Sequence, residues 1–542
     1  MFYCIEYLAD LYEKFGITVS ERRFRGQEQP MTVKTIGGFD IRIVQVLCAI
    51  IWCFLSAGLI FGFAALKPVL VDQHVYEELC YKDGLAANIP CTEQDLKLNR
   101  MFTIGAVVTN SIAFPVGWVL DHYGPRVCGL IGSLFLFLGS GCYIATNHLT
   151  FLDPYLYGYI LLAIGGPFVF ISSFQLANTF PKYSGSILAV ITGAFDCSLA
   201  LFLFYRLYYQ KVDSRLNLKR FFSLYLIVPT FITFCQLTFM PSKSYKTLGA
   251  VHKLEIEGLD EDGNLPEGQD ASLIIPDEGE RESLLSGSAP LIQPVLSHGS
   301  RRKSVLENYV EAKLEKKTHG VFGVLHDETA LNQIKSYWFI LMLLFTVITM
   351  LRINYFVATV RSQEEYLLKD PSLAATINSI FDVALPLGGV IAIPLVGILL
   401  DRVETYSVLL LATCLSITIG IFGLIPAFVP NLIGIFFLVV FRPFYYTVVS
   451  DYCSKIFGFE TFGTVYGLMI CIAGFMNLSQ TYLDKLTHTT FKMNPTPVNI
   501  CLLSATIIIS VTLLLYIRFQ TKKRAKLMEE IQNSSTSPYS ST

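Results

Sequence analysis

Four ionisable side chains stand inside stretches that are otherwise apolar: Asp196, Arg352, Asp382 and Arg442. At bilayer depth such groups are expensive, about 2.5–3.5 kcal/mol each on insertion scales, so each marks a candidate functional position. The planar fork of Arg442 suits a carboxylate, and Asp196 suits an ammonium group; a zwitterionic solute offers both charges. The same two residues could instead neutralise each other or simply hold two parts of the protein together. Tyr445 and Tyr446, beside Arg442, could wall an apolar substrate side chain or pack as ordinary aromatics. Asn178 is a further candidate for a cavity lining, although helix-to-helix hydrogen bonding is the commoner use of such a residue. Arg352 and Asp382 could pair and stabilise one conformation, or both could be hydrated. None of this is covalent chemistry. The sequence carries no Walker motif, nucleophile elbow or metal-ligand spacing, so neither enzyme activity nor a cofactor is expected.

The elements that must position these residues are membrane helices. Of the 542 residues, 53% are hydrophobic and 15% charged, against roughly 25% charged in a soluble domain. Apolar runs of spanning length, about 20 residues, recur along the whole chain without the period-2 alternation of barrel strands. They lie at about 43–69, 100–120, 127–147, 154–177, 184–208 and 221–240, then at about 336–360, 374–400, 406–427, 431–451, 463–483 and 498–519. The expectation is an all-α membrane protein of twelve transmembrane helices in two six-helix halves, 43–240 and 336–519. These would be flanked by an N-terminal segment (1–42), a largely disordered central loop (241–335) and a C-terminal tail (520–542). The net charge of −2, with no basic stripe interleaved with aromatics, gives no footing for nucleic acid.

Lysines and arginines at 22, 23, 25 and 34, and again at 522, 523, 524 and 526, place both termini in the cytosol by the positive-inside rule. The loop holding Lys211, Arg215, Lys219 and Arg220 objects, but the termini and the basic part of the bridge outvote it. Cys80 and Cys91 fall in the one sizeable non-cytosolic loop, where a disulfide is favoured over two free thiols. In the central loop, Glu280 with Leu284 and Leu285 looks like an acidic dileucine signal for a sorting adaptor, and Ser304 follows a basic triplet like a kinase site.

Matching landmarks recur in the two halves. Gly117-Trp-Val-Leu-Asp121 ends the second span, followed by His122, Gly124 and Arg126; Gly397-Ile-Leu-Leu-Asp401-Arg402 ends the eighth. Glycine there lets helices approach closely, and an Asp at the membrane edge can meet a helix N-terminus or a neighbouring Arg. Gly166-Pro167-Phe168 in the fourth span is echoed by Arg442-Pro443-Phe444 in the tenth. On these residues the sequence resembles the major facilitator superfamily, whose loop signature is Gly-x-x-x-Asp-Arg-x-Gly-Arg; His122 stands for the usual Arg, and Arg126 is displaced by one place. Gly62-Phe-Ala-Ala-Leu-Lys-Pro-Val-Leu70 with Tyr76-Glu-Glu-Leu-Cys80 looks like the solute carrier family 43 branch. That resemblance implies alternating-access transport of a small organic solute, with neutral amino acids first. A nucleobase is the alternative, and a non-transporting sensor the reading from another class. It fits a plasma membrane, whereas the dileucine points to a vacuolar or lysosomal one.

Overall fold

A computed structural model of the chain describes residues 35–36, 39–82, 85–86, 92–146, 153–180, 183–213, 215–241, 323–326 and 328–535. Cys91, Glu280, Leu284, Leu285 and Ser304 lie outside the described residues, as does the side chain of Asp382. The chain forms two compact units, Met1–Val44 and Gln45–Thr542, and the helical bundle belongs to the second.

The first crossing is not a single helix. Helix α1 (Ile41–Trp52) runs into a π-helical stretch (Cys53–Ala57), breaks at Gly58, and resumes through a 3-10 turn (Leu59–Gly62) as α2 (Phe63–Asp72), bent by 46°. The break leaves backbone groups that need partners. One is found on another helix: Gly58 N donates to Ser198 Oγ at 2.8 Å. Gly58 and Gly62 face the carbonyls of Phe195 and Leu199 so closely that a Cβ on either would collide.

Next come α3 (Thr92–Ser111) and α4 (Ala113–Ile144). The apolar helical run Leu96–Ile144 is 49 residues long, about 74 Å at 1.5 Å per residue and far more than one bilayer. It divides at Gly124, whose φ of 81° and ψ of 171° only glycine adopts readily; Pro125 follows. Three more crossings complete the first half. They are α5 (Pro154–Ser173) with its 3-10 extension Phe174–Thr179, α6 (Ser184–Ser198) with α7 (Ala200–Lys211), and α8 (Leu218–Tyr225) with α9 (Ile227–Thr238).

The second half holds α10 (Ala330–Lys335), α11 (Tyr337–Leu368), α12 (Pro371–Arg402), α13 (Thr405–Phe422), α14 (Phe428–Phe457), α15 (Phe462–Asn477) continued by α16 (Ser479–Thr489), and α17 (Thr496–Ser535). Several starts are written locally. Asp153 caps α5 through Leu156 N at 3.2 Å, with Pro154 in the first turn; Ser336 caps α11 and Asp370 caps α12 in the same way. By length and apolarity nine helices among the described residues qualify as membrane spans, or ten with the bent first pair. Dividing the long run at Gly124 and including α12 places a helical segment at each of the twelve positions read from the sequence. No strand among the described residues exceeds two residues.

Three boundaries differ from the sequence reading. Helix α11 continues to Leu368 instead of stopping near 360, helped by an Arg361–Glu365 pair one turn apart (Nε to Oε1, 3.0 Å). Helix α17 runs on to Ser535, because the Lys-, Arg- and Glu-rich stretch after 520 consists of good helix formers. The end of the expected central loop is packed structure: Gly323 N and Leu325 N donate to Lys455 O and Ile456 O at 3.0 and 3.1 Å, and α10 follows directly.

The echoed prolines act alike. Pro167 lacks the N–H that would bond Ala163 O, and Thr109 Oγ1 on α3 donates there instead at 3.0 Å. Pro443 likewise leaves Val439 O free, and Gly388 of α12 lies against that carbonyl with no room for a Cβ.

Two glycines of α4 give a matched test of this reading. Gly124→Ala should cost about 1–3 kcal/mol through backbone strain. Gly141, with nothing within 4 Å of its would-be Cβ, should become Ala neutrally or with a gain of up to about 1 kcal/mol. Melting temperatures in detergent should fall for the first variant only.

Candidate functional site

Two carboxylates from opposite halves clasp one end of the bundle. The N-terminus of α15 has backbone donors without helical acceptors at its second and third residues, and its own preceding residue, Thr461, turns its hydroxyl away to Gln333 Oε1 at 2.6 Å. Asp121 of α4 fills the vacant role: Oδ1 accepts from Gly463 N at 2.9 Å and Oδ2 from Thr464 N at 2.6 Å. The mirror arrangement holds α6. Tyr183 offers no side-chain cap, and Asp401 of α12 accepts from Gly185 N at 2.9 Å, from Ser186 N at 3.2 Å and from the Ser186 hydroxyl. Each is an N-cap supplied in trans, by a charged acceptor placed where the helix dipole is positive.

Glycines make the approach possible. Gly117 and Gly463 lie backbone to backbone, and a Cβ on either would strike the other's carbonyl. Gly185 meets Leu400 and Asp401, and Gly397 meets Ser186. Arg126 does not join Asp121; its Nε and Nη2 donate to Met240 O at 2.9 and 2.5 Å, tying down the end of α9. Arg402, the last residue of α12, is exposed.

Deeper in the bundle, Arg442 and Asp196 meet across the two halves, Nη1 to Oδ1 at 3.3 Å, with Asp196 1% and Arg442 9% exposed. At an effective dielectric of 20 their attraction is about 5 kcal/mol, while burying both charges costs a comparable amount. The pair therefore sits near break-even. Neither oxygen of Asp196 has a hydrogen-bond partner among the described residues. From Phe195, the neighbour of Asp196 in the chain, ring contacts lead to Phe61 at 5.9 Å and through Phe170 and Phe174 at 4.5 and 4.7 Å to Tyr466 of α15 at 5.5 Å.

The other expected residues are distributed as follows. Tyr446, one turn from Arg442, stays partly open, whereas Tyr445 is fully buried and donates to Thr346 O at 2.7 Å, which commits it to packing inside the second half. Asn178 lies in the 3-10 extension of α5 beside Gln175, whose amide donates to Phe459 O, so it belongs to the clasped end and not to the level of Arg442. Arg352 spends two bonds on Ser416 of α13, Nη1 to Oγ at 3.1 Å and Nη2 to O at 2.6 Å. Cys80 is disulfide-bonded.

Two groups escaped the sequence reading. Glu364 sat beyond the expected end of the seventh span; it is buried and accepts from Asn431 Nδ2 at 2.9 Å. Asp451 sat at the expected end of the tenth span, but α14 continues to Phe457. There Asp451 pairs with Lys455 at 2.7 Å, and Lys455 reaches Leu400 O beside Asp401. The four-residue spacing of Asp451 and Lys455 was the available signal.

No family profile matches the sequence. The chain is 61% identical to Protein FMP42 of Saccharomyces cerevisiae over 483 residues, 89% of this chain and 95% of that one. The chain belongs to the family of Protein FMP42. Its fold is that of the major facilitator superfamily: the proton:xylose symporter XylE superposes with a TM-score of 0.54 at 14% identity, covering 88% of this chain and 94% of that one. Local likeness extends to Equilibrative nucleobase transporter 1 of Bos taurus, 30% identical over 31% of this chain and 36% of that protein. It also extends to Large neutral amino acids transporter small subunit 3 of Homo sapiens, 27% identical over 29% and 30%. The protein is a multi-pass membrane protein with the major facilitator fold.

If the trans caps hold the clasped end together, Asp121→Ala and Asp401→Ala should each cost that contact about 1–2 kcal/mol. Spin labels at the exposed Tyr123 and Glu460, in a background without reactive cysteines, would report it. The long-distance population should grow several-fold in each single variant and further in the double. An unchanged distance distribution in both would mean that the caps do not hold the halves.

Proposed function

We propose that this protein carries neutral amino acids across its membrane by alternating access, with Arg442 and Asp196 receiving the carboxylate and the ammonium of the substrate. The observation that carries this is the buried pair itself: two opposite charges from opposite halves, near energetic balance, with no hydrogen-bond donor to the Asp196 carboxylate among the described residues. A zwitterion can replace each partner by a group of the same sign and keep the site neutral. It then links the halves as the ion pair did, so its arrival or departure biases their relative movement. Phe195 and Tyr446, both partly exposed, offer apolar surface for an uncharged side chain. The caps at Asp121 and Asp401 act as the gate on one side, since capping donors released from a carboxylate can be satisfied by water.

A nucleobase is the second reading, favoured by the same aromatic rings, on which a flat base can stack, and by the likeness to the bovine nucleobase transporter. Uptake into proteoliposomes separates the two. Labelled leucine should enter saturably, and Arg442→Gln and Asp196→Asn should each lower kcat/KM by at least about tenfold, as expected when a charged hydrogen bond to the substrate is lost. Adenine uptake that persists in Arg442→Gln, without leucine uptake by the unaltered protein, would establish the nucleobase reading. Absence of flux for either compound would reject both.

A further inference from the structure

In the second half a partly open cavity of about 50 Å³ lies between α11, α13, α14 and α17. Every residue lining it belongs to that half, and neither Arg442 nor Asp196 is among them. Arg352 lines the cavity. A guanidinium has five N–H donors and stays protonated; two of these go to Ser416, and no carboxylate among the described residues pairs with it. Gly420 makes room for it, since a Cβ there would collide with Nη2. Thr349, one turn before Arg352 on the same face of α11, lines the same cavity, is 1% exposed, and its hydroxyl has no hydrogen-bond partner among the described residues.

We infer that Arg352 and Thr349 form a binding site for a small inorganic anion such as chloride, held within the second half and separate from the substrate pair. A buried cation without a counter-charge is among the most expensive arrangements a bundle can hold. Here the donors that would complete an anion shell, the unspent guanidinium N–H groups and the Thr349 hydroxyl, converge on one cavity. Ile353, Phe356, Ile435 and Leu438 supply apolar walls, which favour a weakly hydrated halide over a strongly hydrated one.

The remaining acid of the cavity does not fill this role. Glu364 lies twelve residues along α11, about 18 Å of helix rise, and its carboxylate accepts from Asn431. Glu364 makes no ion pair with Arg352 among the described residues, so it leaves the guanidinium without an ion in contact. Size points the same way. At about 10–15 Å³ of such volume per water, the cavity takes an ion with two or three waters, not a leucine-sized solute.

The full chain, purified in detergent in sodium gluconate, would be titrated with chloride, bromide and fluoride at constant ionic strength while its melting temperature is read from tryptophan fluorescence. Chloride and bromide should raise it saturably, and fluoride should act only at several-fold higher concentration. Thr349→Val, which keeps the shape and removes the hydroxyl, should raise the half-saturating chloride concentration about tenfold, and Arg352→Met should abolish the response. A response that is non-saturating, or equal in Thr349→Val and the unaltered protein, overturns the site; Thr349→Val decides this even if Arg352→Met does not fold. Leucine is the control for an anion supplied by substrate. Saturable stabilisation by leucine in gluconate that disappears in Thr349→Val but survives in Arg442→Gln would assign Arg352 to a substrate carboxylate and overturn the inorganic ion.

Discussion

Two of the helices that begin without a cap of their own, α6 and α15, are each completed by a carboxylate from the opposite half. Much of the remaining architecture follows from that constraint. The capped residues Gly463 and Gly185 must be small, because the helix bringing the carboxylate passes within backbone contact. For the same reason the carboxylates sit four residues after Gly117 and Gly397, which open the same close approach from the other side. The bonds are short and charge-assisted, with Asp121 to Thr464 N at 2.6 Å, but every group involved can be hydrated when the helices part. Such a contact is firm when closed and inexpensive to open, unlike an apolar interface, which would expose its surface to water.

One helix connects this contact to the interior charge pair. Ser186, at the capped end of α6, and Asp196 are ten residues apart on the same helix, about 15 Å along its axis. In the proposed cycle, movement that frees the N-terminus of α6 from Asp401 would also move the Asp196 carboxylate relative to Arg442 on α14. The surroundings of the pair are irregular in a way that helical packing alone does not require. The first crossing is broken at Gly58, and α5 and α14 carry Pro167 and Pro443. Each unsatisfied backbone group is buried against another helix, through Ser198, Thr109 or Gly388. Irregular backbone at membrane depth is tolerated where protein covers it, and here it lies next to Asp196 and Arg442.

The bundle distributes its buried charges by what surrounds them. Arg442 has an acid from the other half, Lys455 has Asp451 one turn away, and Arg352 has only the neutral oxygens of Ser416 among the described residues. These cations of one half thus meet three electrostatic situations: an interface pair, a local pair tied to the clasped end, and a charge facing a cavity with no paired carboxylate among the described residues. Their proposed uses in substrate binding, gate stability and anion binding follow these differences in surroundings.

The sequence by itself determined the all-helical membrane character and the recurrence of apolar runs, and it marked the paired Gly-x-x-x-Asp landmarks whose carboxylates the structure places at helix N-termini. Span hydropathy and a repeated Gly-x-x-x-Asp are local properties that survive without knowledge of the contacts. It also marked Arg442 and Asp196, since charges within apolar runs are visible in one dimension. It left open whether those two meet, and it did not show that Tyr445 packs inward while Tyr446 stays open, or that Asn178 lies at the clasped end. It stopped α11 before Glu364 and α14 before Lys455, because hydropathy falls where polar side chains begin even when helical hydrogen bonding continues. Those matters depend on which helices lie side by side. That pairing is fixed by interhelical packing, the close glycine contacts above all, and only the tertiary structure decided it.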